Sequence, residues 1–190
     1  MSATLPAGPF GAILCDPPWA FKTYSKTRTT PHRGVHEHYV TMSLEELLAL
    51  PVGDATARDC ALFMWVVDSH LDKAFDLAVA WGFAYKTIAF IWVKTEGPRL
   101  FIDEHSGRMG MGYWTRKGAE CCLLFTRGKP RRNDKGVRQV IIEERREHSR
   151  KPDCVHDRIE RLVGGPYLEL FARKQRSGWT TWGDEAAKFD

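Results

Sequence analysis

An α/β fold with a mainly parallel central sheet is what this chain of 190 residues predicts. Three observations lead there. Short apolar runs recur along the chain, most of them are continuous rather than alternating, and amphipathic helical stretches fall between them. A continuous run suits a strand covered on both faces, and strands alternating with helices suit crossover connections in a parallel sheet. The composition, 43% hydrophobic and 27% charged, fits a single domain over residues 1–190 whose core needs no disulfide staples.

Taken in order, strands are expected at about 11–15 (GAILC), 61–67 (ALFMWVV), 85–93 (YKTIAFIWV) and 120–126 (ECCLLFT). Three more follow at about 137–142 (VRQVII), 167–172 (YLELFA) and 179–182 (WTTW). The first helix is "SLEELLAL", where Ser43 and Glu46 form a capping box. The second is "SHLDKAFDLAVAWG", with Leu71, Phe75, Ala78 and Val79 on one stripe and Gly82 as its stop. The third is "PDCVHDRIERLVGG", with Pro152 in the first turn, Val155, Ile159, Leu162 and Val163 inward, and Gly164 ending it.

Charge is distributed unevenly. The net value is only +4, but residues 127–151 carry ten Arg or Lys against four Asp or Glu. A second stretch, "KTYSKTRTTPHR" at 22–33, has four cations and no acid. Two such runs favour a polyanion as partner over two solvated faces. No metal site is expected: the five cysteines show no ligand spacing, and "HRGVHEH" has no second ligand pair near it. The start "MSATLPAGPF" has no signal-peptide character and no run is long enough to cross a bilayer, so a cytoplasmic protein without membrane contact is expected.

The most informative stretch is "ILCDPPWAF" at 13–21. Proline cannot donate to a sheet ladder, so the strand stops at Asp16, and Pro17 and Pro18 stiffen the tip that presents Asp16 and Trp19. A flat heterocycle stacked on Trp19 would be able to give one amine hydrogen to Asp16 and the other to the Pro17 carbonyl. The exocyclic amine of adenine is a poor nucleophile because its lone pair is delocalised into the ring. Two well-placed acceptors localise that pair toward an electrophile such as the methyl of S-adenosylmethionine. Four letters alone leave an ordinary strand end with a buried tryptophan equally open.

The rest of the chain weights the balance. From about Ile13 to Glu185 the sequence resembles the MT-A family of adenine-N6 methyltransferases. The resemblance is carried by "DPPW" (16–19), "HYVTMSLEEL" (38–47), "LFMWVV" (62–67), "WGF" (81–83), "IWVKT" (91–95) and "GYWTRKGAE" (112–120). "HSRKPD" (148–153), "RIERL" (158–162), "ELFAR" (169–173) and "GWTTWGDE" (178–185) complete it. It implies a Rossmann-like S-adenosylmethionine-dependent methyltransferase fold in permuted order, the catalytic strand first and the cofactor strand last. It further implies catalytic Asp16, Pro17, Pro18 and Trp19, and a cofactor pocket of Asp16, Glu169, Arg173, Gln175, Arg176, Asp184 and Glu185. Carboxylates there suit ribose hydroxyls or an ammonium, and Arg173 suits ribose or carboxylate oxygens. Two departures stand out: Ala119 occupies a position that is lysine in some relatives, and Asp184-Glu185 replaces an amide pair.

On the substrate side, the expected segments are the loop after the tip (Lys22, Lys26, Arg28, Arg33, Tyr39), the loop 97–117 (Tyr113, Trp114, Arg116, Lys117) and the basic loop 127–138. Cations interleaved with aromatics suit phosphate contact and base stacking, while core packing is an equal reading for Trp114. The expected function is methyl transfer to N6 of adenine in DNA, with RNA as the alternative polymer and a non-catalytic binding subunit as the alternative class. Cytosine N4 as acceptor stays open, the basic loops speak against a small molecule, and a homodimer or a partner subunit is left undecided.

Overall fold

The computed structural model describes residues 4–20, 41–96, 114–146 and 150–184. Seven strands form one sheet: β1 (Phe10–Cys15), β2 (Thr56–Val66), β3 (Ala84–Thr95), β4 (Ala119–Arg127), β5 (Val140–Glu144), β6 (Tyr167–Leu170) and β7 (Trp179–Trp182). Their order is β5-β3-β4-β2-β1-β6-β7. All pairings are parallel except those of β4, which runs antiparallel to both β2 and β3. Every predicted strand is present. The sixth ends at Leu170 rather than at residue 172 because Phe171 turns into the left-handed region (φ 61°).

β2 shows why its apolar run is continuous. Cys60, Leu62, Met64 and Val66 enter one core layer, with Leu47, Leu77 and Trp81. Ala61, Phe63 and Trp65 enter the other, with Phe90, Val155 and Ile159. Successive strand side chains point to opposite faces, so a strand covered on both sides must be apolar at every step.

Helices α1 (Leu44–Leu48), α2 (Leu71–Ala80) and α3 (Cys154–Leu162) supply that cover. The capping box on α1 is formed: Ser43 Oγ accepts from the Glu46 amide at 3.2 Å, and the Ser43 amide donates back to Glu46 at 2.7 Å. The expected stripe on α2 is displaced. Ala74, Leu77 and Ala78 face inward, while Leu71 and Val79 are exposed. The first turn of this segment, Asp68–His70, is a tighter 3-10 turn, which rotates the α-helical face relative to an unbroken helix. On α3, Val155 and Ile159 are buried as expected, but Pro152 precedes the helix. Among the described residues no helix is long and apolar enough to cross a membrane.

Moving outward from β1, the chain fills one side of the sheet with β2, β4, β3 and β5, and the other with β6 and β7. The strand order therefore reverses between β1 and β6, and ligands of open α/β sheets collect at the carboxyl end of such a switch point. Asp16 stands at the end of β1, and Phe171 to Ser177 follow β6.

Candidate active site

The stiff tip is pinned by its backbone. The Trp19 amide donates to the Pro17 carbonyl at 2.9 Å, and the Met42 amide to the Pro18 carbonyl at 2.8 Å. Trp19 and Met42 form a β-bridge. A carbonyl has two lone pairs, so Pro17 retains one acceptor site. Trp19 does not project as the sequence suggested. It is 4% exposed and its ring lies 5.4 Å from that of His70. A large indole is better buried against the turn before α2 than left in water, so only Asp16 presents its side chain at the tip.

A cavity of about 320 Å³ opens beside Asp16. Its lining includes Asp16 and Trp65 from the sheet, Arg150 and Lys151 from the segment before α3, and His156 from α3 itself. Glu169, Phe171, Arg173, Lys174, Gln175, Arg176 and Ser177 close the far wall. The cofactor residues expected at Asp16, Glu169, Arg173, Gln175 and Arg176 are thus brought together. Asp184 is exposed and outside this lining, and Glu185 lies outside the described residues.

A chain of alternating charges runs into the cavity. Lys151 Nζ lies 2.5 Å from Asp16 Oδ2 and 3.5 Å from Glu120 Oε2. Glu120 in turn pairs with Lys94. Lys151 also sits over the Trp65 ring, 5.7 Å from its centroid. Burial pushes the Asp16 carboxyl up, against the pull of Lys151. For Lys151, burial works against the charge, but the Asp16 and Glu120 carboxylates outweigh it and raise the pKa. Burial likewise opposes ionisation of Glu120, yet Lys151 and Lys94 hold it at about 2.

On the opposite wall, His156 Nε2 and Glu169 Oε2 are 2.8 Å apart, and the His156 ring meets Trp179 edge-on at 4.9 Å. Arg176 is tied to α3 through Asp157 and through Glu160 at 3.3 Å. Two nitrogens of cavity-lining residues, Trp65 Nε1 and His156 Nδ1, are buried and have no hydrogen-bond partner among the described residues. Buried polar atoms are normally satisfied, so this wall has unused hydrogen-bonding capacity.

Sequence reasoning missed Lys151, Glu120, Lys94 and His156. "HSRKPD" and "GAE" were legible as motifs, but Lys151 is one cation among ten in its run, and only the folded contacts single it out.

The substrate-side residues separate. Lys22, Lys26, Arg28, Arg33, Tyr39 and Tyr113 lie outside the described residues. Trp114 is fully exposed, which removes the core reading, and Arg116 is exposed beside it. Lys117 pairs with Asp68 at 2.9 Å. These three precede β4, whose first residues lie level with the end of β2, so they enter at the cavity end of the sheet. The basic loop 127–138 does not. β4 runs antiparallel and ends at Arg127 opposite Cys60, so the loop leaves from the other end of the sheet. Of the expected substrate-side segments, this one therefore lies apart from the cavity end of the sheet.

Comparison with known proteins agrees with this geometry. The MT-A70 family profile matches residues 10–185. The type II methyltransferase M.MunI of Mycoplasma sp is 34% identical, over 95% of this chain and 79% of its own length. The N(6)-adenosine-methyltransferase MT-A70-like protein of Drosophila melanogaster is 33% identical over 94% of this chain. The human N(6)-adenosine-methyltransferase catalytic subunit METTL3 is 30% identical over the same share. The chain spans only 27% and 28% of those two proteins. With the motifs, the sheet and the profile in agreement over nearly its whole length, the chain is a methyltransferase of the MT-A70 family.

Proposed function

We propose that this methyltransferase transfers the methyl group of S-adenosylmethionine to N6 of adenine in DNA. The observation that carries the reading is Asp16, fixed by a diproline tip at the rim of a cavity with charged side chains in its lining, at the switch point of the sheet. The names of its relatives, among them N(6)-adenosine methyltransferases, support N6 of adenine as the acceptor. DNA is the first reading because the type II methyltransferase M.MunI is 34% identical over 95% of this chain. RNA is the second reading, favoured by the adenosine named in those relatives. The same reading takes residues 1–190 as one domain with the catalytic strand β1 first and the cofactor strands β6 and β7 last.

The cavity fits the cofactor. Its volume falls within the range of small-molecule sites, and its donor set is mixed as the ligand requires. Glu169 would accept from ribose hydroxyls or the ammonium, Arg173 and Gln175 would hold oxygens, and the orphan Trp65 Nε1 would gain a partner. When bound, the cofactor supplies an electrophilic methyl on a cationic sulfur.

The protein's part is positioning. Asp16 and the free lone pair of the Pro17 carbonyl accept the two amine hydrogens, which turns the nitrogen lone pair out of the ring plane. Asp16 accepts most strongly, and can take up a proton, only when ionised, and Lys151 opposes the rise that burial imposes on it. An arriving amine competes with Lys151 for Asp16, and Glu120 is the second partner onto which Lys151 can shift. As the nitrogen gains its methyl it must lose a proton, and Asp16 is the adjacent base.

Transfer of labelled methyl to matched single-stranded DNA, duplex DNA and RNA tests the reading, with mass identification of the product nucleoside. N6-methyladenine is expected in DNA. Asp16→Ala should lower kcat by about 10²–10³-fold while S-adenosylhomocysteine binding, read by calorimetry, weakens only modestly. Full activity in that variant would rule out the clamp.

A further inference from the structure

The basic loop 128–139, displaced from the active site, is built as a rigid surface. Gly128 opens it at φ 61°, where a Cβ would come within 2.2 Å of Asp59 Oδ1, so the turn requires glycine. The Lys129 amide then donates to Asp59 Oδ1 at 2.7 Å. The Asn133 amide donates to the Leu162 carbonyl at the end of α3 (2.8 Å). Asp134 pairs with Arg161 at 2.5 Å and accepts from the Gly136 amide. Arg158 donates to the carbonyls of Arg138 and Val140 at 2.7 and 2.9 Å, and Gln139 Nε2 to that of Ile88 at 2.8 Å.

The backbone is therefore anchored while the charges are not. Lys129, Arg131, Arg132, Lys135 and Arg138 are exposed, and their side chains make no ion pair among the described residues. Asp134, the acid within the loop, is already neutralised by Arg161. Cations held on a fixed backbone lose less entropy on meeting an anion than cations on a free tail.

We propose that this loop is a second, distal contact for the phosphate backbone of the nucleic-acid substrate. The inference rests on the proposed reaction for the identity of the polymer. Its geometry gives it a length signature. Asp16 follows Cys15, which is level with Met64 of β2, and the neighbouring Trp65 is level with Cys122 of β4. At about 3.3 Å per strand residue, the step from Cys122 to Arg127 puts the base of the loop about 17 Å from the catalytic end. A duplex rising about 3.4 Å per base pair reaches it only when it extends at least about five pairs beyond the target adenine.

Fluorescence anisotropy with hairpin duplexes of about 8 and about 30 base pairs, the shorter with its adenine central, tests this over a salt series. For the triple variant Arg131→Gln, Arg132→Gln, Lys135→Gln, the long hairpin should bind about tenfold more weakly at low salt. The slope of log affinity against log salt should flatten by about 2 to 3, and the short hairpin should be unaffected. S-adenosylhomocysteine binding serves as the folding control. An unchanged slope on the long hairpin would overturn the distal contact, and so would equal losses on both lengths. A matching loss with polyglutamate of equal charge would overturn it in favour of an acidic protein. Wild-type methyl transfer with an unchanged slope sinks only this contact. A length-dependent loss without methyl transfer sustains it and sinks the reaction.

Discussion

In the proposed reaction Asp16 works as a carboxylate in a place that disfavours charge. Burial raises it, and Lys151 at 2.5 Å is the counterweight. The sign of a pH experiment follows. If the ionised form accepts the amine, activity falls as pH drops through the Asp16 pKa. Lys151→Met removes the cation that lowers this pKa, so the acid limb of kcat/KM should move to higher pH. The same change leaves Asp16 and Glu120 without their shared partner, and because this pair is only partly buried stability should fall by about 1–2 kcal/mol in denaturant unfolding. An acid limb that stays in place would separate Lys151 from the reaction and leave it a structural cation. Trp19 shows the converse case: its letter was conspicuous, but its ring is packed against His70 and supports the tip from below.

At the level of elements, the direction of β4 decides what meets at the cavity. Because β4 is antiparallel, its first residues lie beside the carboxyl ends of its neighbours, and Glu120 comes opposite Trp92 and against Lys94. A parallel strand at this place would have put Glu120 at the other end. Its carboxyl is held at about 2, below its ordinary value of 4.5, despite burial. A lowered acid gives stability that is complete above the unfolded-state pKa and lost as pH falls through the folded one. The Glu120 contribution should therefore disappear between pH 4.5 and about 2. Glu120→Gln, compared with the parent by urea unfolding across this window, should flatten that part of the pH dependence. Equal slopes in the two proteins would mean that the Lys94–Glu120–Lys151 chain does not contribute. Asp16 acts in the opposite sense, since its raised pKa makes its ionisation destabilising, so only the difference between variant and parent isolates Glu120.

Across the whole molecule, the cavity lies between β1 and β6, with α3 as a third wall, so a bound ligand ties together segments far apart in the chain. Ligand binding to the folded state alone should stabilise the protein by about 2.7 kcal/mol at a hundred times Kd. For a chain of this size that is a rise in Tm of about 5–10 °C with S-adenosylhomocysteine. Glu169→Ala should shrink the shift at the same ligand concentration, and an undiminished shift would move the cofactor away from the β6 wall.

Much of this was legible in the linear chain. Seven apolar runs predicted seven strands because a strand buried on both faces must be apolar throughout. The Asp-Pro-Pro-Trp tip was legible because proline acts locally on the backbone, whereas Glu169, Arg173, Gln175 and Arg176 were legible through the family resemblance, and the fold gathers all four on one cavity. The rest depends on contacts between distant segments. The α2 stripe shifted because a 3-10 turn precedes it, Trp19 turned inward because His70 offered a surface, and the basic loop left the site because β4 is antiparallel. The sequence by itself determined the strands and the stiff tip, since both follow from local chemistry. Only the tertiary structure decided which of many lysines meets Asp16, because charge acts through space and the chain order does not encode that distance.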